Sequence, residues 1–157
     1  MPGSSYAPGM PSTYGSLLCH VVFSTRNRLP QVAPEWRARL HGLLGHVALD
    51  HDARPLEVGG VADHVHILLA LRPVHCLGEL MRAIKRDSSR WVHDTIGLAS
   101  FAWQEGYGYF GVSPDGLEDL RRYIREQEAH HRKRTFQQEF VALLQAYGVE
   151  YEEKYLW

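Results

Sequence analysis

Cysteine is nearly missing from this chain. Cys19 and Cys76 are the only two, they sit in unrelated contexts, and no Cys-x-x-Cys occurs. That argues against a disulfide framework or a structural zinc site, and it fits a reducing cytoplasm. Long apolar runs are missing as well. None approaches the roughly 18 residues that span a bilayer, so no membrane partner is expected. Met1 to Thr13 is rich in Pro, Gly and Ser but has no basic stretch followed by an apolar core. It is expected to be a flexible leader (1–13) and not a signal peptide. Nor is there an excess of positive charge: a net charge of −1 argues against a generic nucleic-acid coat, though it leaves room for local basic patches. No internal repeat is visible.

What is present suits one globular domain with a complete core. Leu17 to Thr25 is rich in β-formers, and Arg26, Asn27, Arg28 and Pro30 end it. Pro34 opens a helix with Trp36, Leu40, Leu43, Leu44 and Val47 at helical spacing, closed by the polar stretch Asp50 to Pro55. A second strand runs from Leu56 to Val61, and a turn at Ala62-Asp63 leads into a third that begins at His64. Beyond Pro73, the residues Leu77, Leu80, Met81, Ile84 and Trp91 form the apolar face of a second helix. Arg82, Lys85, Arg86, Ser88, Ser89 and Arg90 lie on its other face. Gly97 closes that helix, and Phe101 to Phe110 reads as an aromatic hairpin or strand.

Ser113-Pro114-Asp115 has helix-start chemistry, and the helix it opens takes in Leu117, Leu120, Tyr123, Ile124 and Gln127 before reaching His130-His131. Thr135 with Gln138 predicts a capping box for a last helix, Phe136 to Tyr147, stopped by Gly148. This order predicts an α+β fold of the ferredoxin-like (split βαβ) type: an antiparallel sheet with helices on one face, plus C-terminal helices. The main domain is expected over 14–134, including the tyrosine helix, and the C-terminal helix and tail over 135–157. The charged, aromatic tail from Val149 is expected to dock on a partner surface.

The chemistry centres on Asp63-His64-Val65-His66. Strand side chains alternate, so His64 and His66 project from one face, about 7 Å apart, and can converge on one cation. Two imidazoles are an incomplete site. Tyr123 and Gln127, at i and i+4 of a helix, offer a shared face from which the Gln127 amide oxygen can ligate. A cation beside Tyr123 favours the phenolate, the nucleophilic form, and that pairing suits attack at phosphorus. Arg121, Arg122, Arg125, Arg132, Lys133 and Arg134 surround this helix and suit a nucleic-acid backbone. Arg82, Lys85, Arg86 and Arg90 make a second candidate DNA-binding face, with Ser88 and Ser89 as phosphate donors. Asp63 shapes the turn or orients His64 from behind.

Five segments together resemble a known family: His20-Val21-Val22-Phe23-Ser24-Thr25, Asp63-His64-Val65-His66, Ile84-Lys85-x-x-Ser88-Ser89-x-Trp91, Trp103-Gln104-x-Gly106-Tyr107 and Tyr123-Ile124-x-x-Gln127. In this order they are similar to the single-tyrosine HUH transposases of small bacterial insertion sequences and their REP-associated relatives. The resemblance runs from about Tyr14 to the C-terminus. It implies that Tyr123 attacks single-stranded DNA, giving a 5′-phosphotyrosine link and a free 3′-hydroxyl. It implies that His64, His66 and Gln127 hold Mg²⁺ or Mn²⁺, that DNA hairpins are the substrates, and that the protein is a homodimer. The expected location is the cytoplasm, at the nucleoid when bound to DNA.

Each residue also has a plainer reading. Strand histidines are by default buried or incidental, Tyr123 a packing residue, Gln127 a solvated one, and a basic helix face merely solvated. His130 and His131 are donors, DNA contacts or simple surface, and His20 is core or substrate-facing. Trp103, Tyr107 and Tyr109 are core or base-stacking residues. A hairpin-binding module without strand transfer, and a water-activating metal hydrolase that does not need Tyr123, remain as alternatives.

Overall fold

The computed structural model describes residues 13–156. The leader expected over 1–13 therefore lies outside the described residues, apart from Thr13. Among the described residues, four strands and five α-helices follow in the order β1 (Leu18–Ser24), α1 (Pro34–Asp50), β2 (Arg54–Gly60), β3 (His64–Ala70), α2 (Leu77–Trp91), β4 (Gly108–Val112), α3 (Leu117–Arg125), α4 (Gln127–His131) and α5 (Phe136–Ala146). The sheet order is β2-β3-β1-β4, and every neighbouring pair is antiparallel. This is the α+β, ferredoxin-like arrangement with added C-terminal helices.

Alternation along the two central strands builds two different faces. Cys19, Val21 and Phe23 of β1 and Val65, Ile67 and Leu69 of β3 join Leu40, Leu44 and Val47 of α1 and Leu80, Met81 and Ile84 of α2 in one apolar core. The opposite side of the same strands carries His20, Val22, His64 and His66, all buried. There Val22 and Phe110 pack with Phe136, Phe140 and Leu144, so α5 covers that side. Removing these apolar side chains from water drives both contacts.

Two glycines allow the cover to sit close. A Cβ at Gly59 would run into the carbonyl oxygen of Ile124, so α3 lies directly on β2. A Cβ at Gly108 would meet the Phe140 ring, which fits α5 against β4. The capping box forms as expected: Gln138 N–H donates to Thr135 Oγ1 (3.2 Å) and Thr135 N–H to Gln138 Oε1 (2.9 Å). It fixes the start of α5.

Several boundaries differ from the sequence reading. The helix expected to run unbroken from Leu117 to His131 breaks at Glu126 (φ −97°, ψ 27°), separating α3 from α4. Ser113 makes no side-chain cap, and a 3₁₀ turn at Pro114–Gly116 precedes α3. β2 starts at Arg54 and admits Pro55 because it is an edge strand, irregular between Pro55 and Glu57. Of the aromatic stretch, only Gly108 onward is strand. Phe101 and Trp103 turn into the apolar core, Trp103 bridging to Thr25. The tail's Tyr151 and Leu156 pack on the chain's own Phe136–Phe140–Leu144 cluster. Among the described residues no helix is long and apolar enough to cross a membrane.

Candidate active site

The strand places His64 and His66 side by side on the face away from α1 and α2, and each ring is held from behind. Asp63 Oδ1 accepts from His64 Nδ1 at 2.7 Å, as the turn position of Asp63 suggests. His20 Nε2 lies 2.8 Å from His66 Nδ1, with the two rings stacked at 5.0 Å. His20 is thus a backing residue for His66. Such partners fix which nitrogen of each ring faces the site.

The other ring nitrogens face α4 and α5. His64 Nε2 lies 3.0 Å from Gln127 Oε1 and 3.5 Å from Glu139 Oε1, and His66 Nε2 is 2.9 Å from Glu139 Oε1. His131 Nε2 donates to Gln127 Oε1 (3.0 Å) and Glu139 Oε2 (3.1 Å). The Tyr123 hydroxyl also donates to Glu139 Oε2. Gln127 stays near Tyr123 despite the break at Glu126, because its amide N–H donates to the Tyr123 carbonyl at 3.2 Å. All of His64, His66, Gln127, Tyr123, His131 and Asp63 are therefore brought together, around a fully buried Glu139.

Sequence reasoning missed Glu139. Its signal was available: it stands three residues after Phe136 and directly before Phe140, an acid inside the apolar stripe of α5. Burial raises a carboxyl's pKa, yet here the hydrogen bonds from His131, His66 and Tyr123 and the charge of His66 hold Glu139 well below its usual range. Burial lowers His66, and burial followed by the neighbouring His66 takes His20 down to about 3. Burial, reinforced by the Glu139 carboxylate, pushes Tyr123 up to about 12. A cation bound beside the hydroxyl would act against both of these effects, in the direction of the phenolate.

The donor set fits a divalent cation. One ligand atom from each of His64, His66, His131 and Glu139 lies within 4.8 Å of the others. With its Nδ1 proton given to Asp63, His64 presents a bare Nε2 toward two oxygens that also only accept. Three lone pairs facing one another need either a second proton on His64 or a cation among them.

The basic residues divide. Arg121 and Arg125 reach Glu57 of β2 (3.3 and 3.5 Å), and Arg122 pairs with Asp119 (3.5 Å), all beside Tyr123 on α3. Arg82, Arg86 and Arg90 are exposed on α2, across the sheet from the site, and Arg86 pairs with Asp87 at 3.0 Å. Lys85 does not join them. Its amine turns inward to donate to the carbonyls of Gln104 (3.0 Å) and Gly106, lies over Phe23 and Tyr107, and is lowered by burial to about 8. Ser88 is likewise occupied, donating to the Ile84 carbonyl (2.7 Å) and accepting from the Trp103 indole (2.9 Å). Tyr109 remains exposed.

Comparison with known proteins decides the family. Residues 13–127 match the family described as "Transposase IS200 like". This chain belongs to that family. The match takes in His64, His66, Tyr123 and Gln127, while His131 and Glu139 lie beyond it. Over 114 residues the transposase is 26% identical to the transposases for insertion sequence element IS200 of Salmonella typhimurium and Salmonella typhi, covering 69% of this chain and 74% of each relative. A crystal structure of a candidate transposase from Deinococcus radiodurans shares the fold at a TM-score of 0.61 and 22% identity, covering 76% of this chain and 95% of that one. A REP-associated tyrosine transposase, solved bound to a REP hairpin, shares it at 0.59 and 18%, covering 82% and 74%.

Proposed function

We propose that this transposase cuts and rejoins single-stranded DNA through Tyr123. The Tyr123 Oη attacks a phosphodiester: the Oη–P bond forms as the phenol gives up its proton, and the P–O3′ bond breaks. The departing oxygen takes up a proton and becomes a 3′-hydroxyl, leaving a 5′-phosphotyrosine. Attack of a 3′-hydroxyl on that link reverses the step, so rejoining needs no nucleoside triphosphate. One observation carries this reading: the Tyr123 hydroxyl shares a carboxylate with the strand histidine His66.

His64, His66 and Gln127 would hold Mg²⁺ or Mn²⁺, with Asp63 fixing the His64 ring. A cation held there would draw charge onto a phosphate oxygen and so favour attack at phosphorus. Arg121, Arg122 and Arg125 flank Tyr123 and would hold the backbone of the cut strand. Arg82, Arg86 and Arg90 would serve DNA that wraps past α2, and Lys85 would act there only by bracing the Gln104–Gly106 turn. Hairpin ends are the proposed substrate, supported by the REP hairpin in the related structure. A homodimer acting on DNA in the cytoplasm, at the nucleoid, completes the reading. The main domain would run over 14–134, and the 135–157 segment would contribute Glu139 to it.

The test is a denaturing gel of the protein with end-labelled hairpins from DNA flanking its gene, with Mn²⁺ or with EDTA. An adduct that survives denaturation and is lost in Tyr123→Phe or with EDTA is expected. Hairpin binding without any adduct would support the second reading, a binding module without strand transfer. Cleavage that persists in Tyr123→Phe would point to a metal hydrolase.

A further inference from the structure

Glu139 occupies a position that the two-histidine-and-amide ligand set does not require. Its carboxylate is fully buried, and its two oxygens face different groups. Oε1 lies 2.9 Å from His66 Nε2 and 3.5 Å from His64 Nε2. Oε2 accepts from the Tyr123 hydroxyl and from His131 Nε2. The residue comes from α5, past the end of the family match at Gln127.

We infer that Glu139 is the anionic ligand of the cation and, through its second oxygen, the group that positions the Tyr123 hydroxyl beside it, with His131 completing the set. The inference rests on the reading of a cation at His64 and His66. It follows from donor chemistry. Imidazoles and an amide are neutral and bind hard cations weakly, whereas Mg²⁺ and Mn²⁺ favour a carboxylate. Asp63 is turned to the back of His64, so Glu139 is the carboxylate among the clustered ligand atoms of the described residues. The capping box sets the start of α5 one turn before it, and Phe136, stacked on the His64 ring at 4.6 Å, locks that turn against the site.

The experiment measures binding of Mn²⁺, Mg²⁺ and Zn²⁺ to the full chain without DNA, with free Mn²⁺ counted by electron paramagnetic resonance and the others followed by competition. Glu139→Gln is expected to weaken Mn²⁺ and Mg²⁺ roughly tenfold or more, while Zn²⁺, which imidazoles serve well, weakens less. General structural damage would weaken all three alike, and that pattern would overturn the inference. Circular dichroism verifies folding. If Glu139→Gln does not fold, Glu139→Asp, which keeps the charge but withdraws it by one methylene, carries the test, and Mn²⁺ affinity equal to that of the unmodified chain would overturn the inference. The positioning role has its own readout. At saturating Mn²⁺, Glu139→Gln should still slow adduct formation without loss of hairpin affinity, and full recovery of the rate would remove that role. Failure of the unmodified chain to bind Mn²⁺ would remove the cation reading itself, separately from any effect of Glu139.

Discussion

The two faces of the central sheet are made from the same strands and do opposite work. Toward α1 and α2, β3 presents Val65, Ile67 and Leu69 to a dry core. Toward α5, the same strand presents His64 and His66, equally buried but tied into a network of imidazoles, an amide, a phenol and two carboxylates. Burial is alike on both sides, and only its chemistry differs. One face is held by area removed from water, the other by hydrogen bonds that must all be satisfied. A buried polar network also keeps its groups poised for a ligand, which an apolar core does not.

Substitutions on either side should separate these roles. The largest loss of stability is expected from Ile67→Ala, which empties volume in the dry core. Urea unfolding should show a cost of about 2–5 kcal/mol, while Mn²⁺ affinity of the folded fraction stays unchanged. A fall in affinity would mean that the two faces are not independent. Gly59→Ala attacks the other side. Its new Cβ meets the Ile124 carbonyl and pushes α3, with Tyr123, off β2. The expected cost is about 1–3 kcal/mol, with a larger proportional loss of adduct formation than of hairpin binding.

Acid should strain both faces at once. His20 beside the site is lowered to about 3, and His41 on α1 is lowered to about 4, first by burial and then by Arg37. Both stay neutral in the folded chain but take up a proton when unfolded below 6.5. Their stabilising contribution is therefore full above about pH 6.5 and is lost as pH falls toward 3–4. Glu139 adds a loss in the same direction, beginning below its ordinary 4.5. Unfolding midpoints measured from pH 7 to 4 should fall steadily, and His41→Gln should flatten part of that slope. The smallest effect belongs to the surface. Arg122→Ala removes an exposed pair with Asp119 and should change stability by less than about 1 kcal/mol. It should still reduce the salt dependence of DNA binding by about one counterion. An unchanged salt slope would take Arg122 out of the DNA interface.

Much of this was legible in the residues, and the reasons are local. The alternation Val65/Ile67 against His64/His66 reveals which side of β3 is polar, and Thr135 with Gln138 announces the start of α5. Lys85 was misleading because a helical wheel shows only that it lies off the apolar stripe. The carbonyls of Gln104 and Gly106 that draw its amine inward come from a turn about twenty residues later. Glu139 was hidden for a related reason: an acid in the first turn of a helix is ordinarily there for the helix dipole. Only the packing of α5 onto the histidine face gives it another role. The break at Glu126 carries no proline or glycine to mark it.

The partners of the network are far apart along the chain: His64 meets Gln127 sixty-three residues on, and His66 meets Glu139 after seventy-three. During synthesis the strand histidines emerge early and the carboxylate that joins them to the tyrosine emerges late. A chain released before Phe136 would carry the histidine pair and Tyr123 yet lack the group between them. The order of synthesis therefore acts as a timer: the cluster of histidines, tyrosine and carboxylate can close only once α5 has been made.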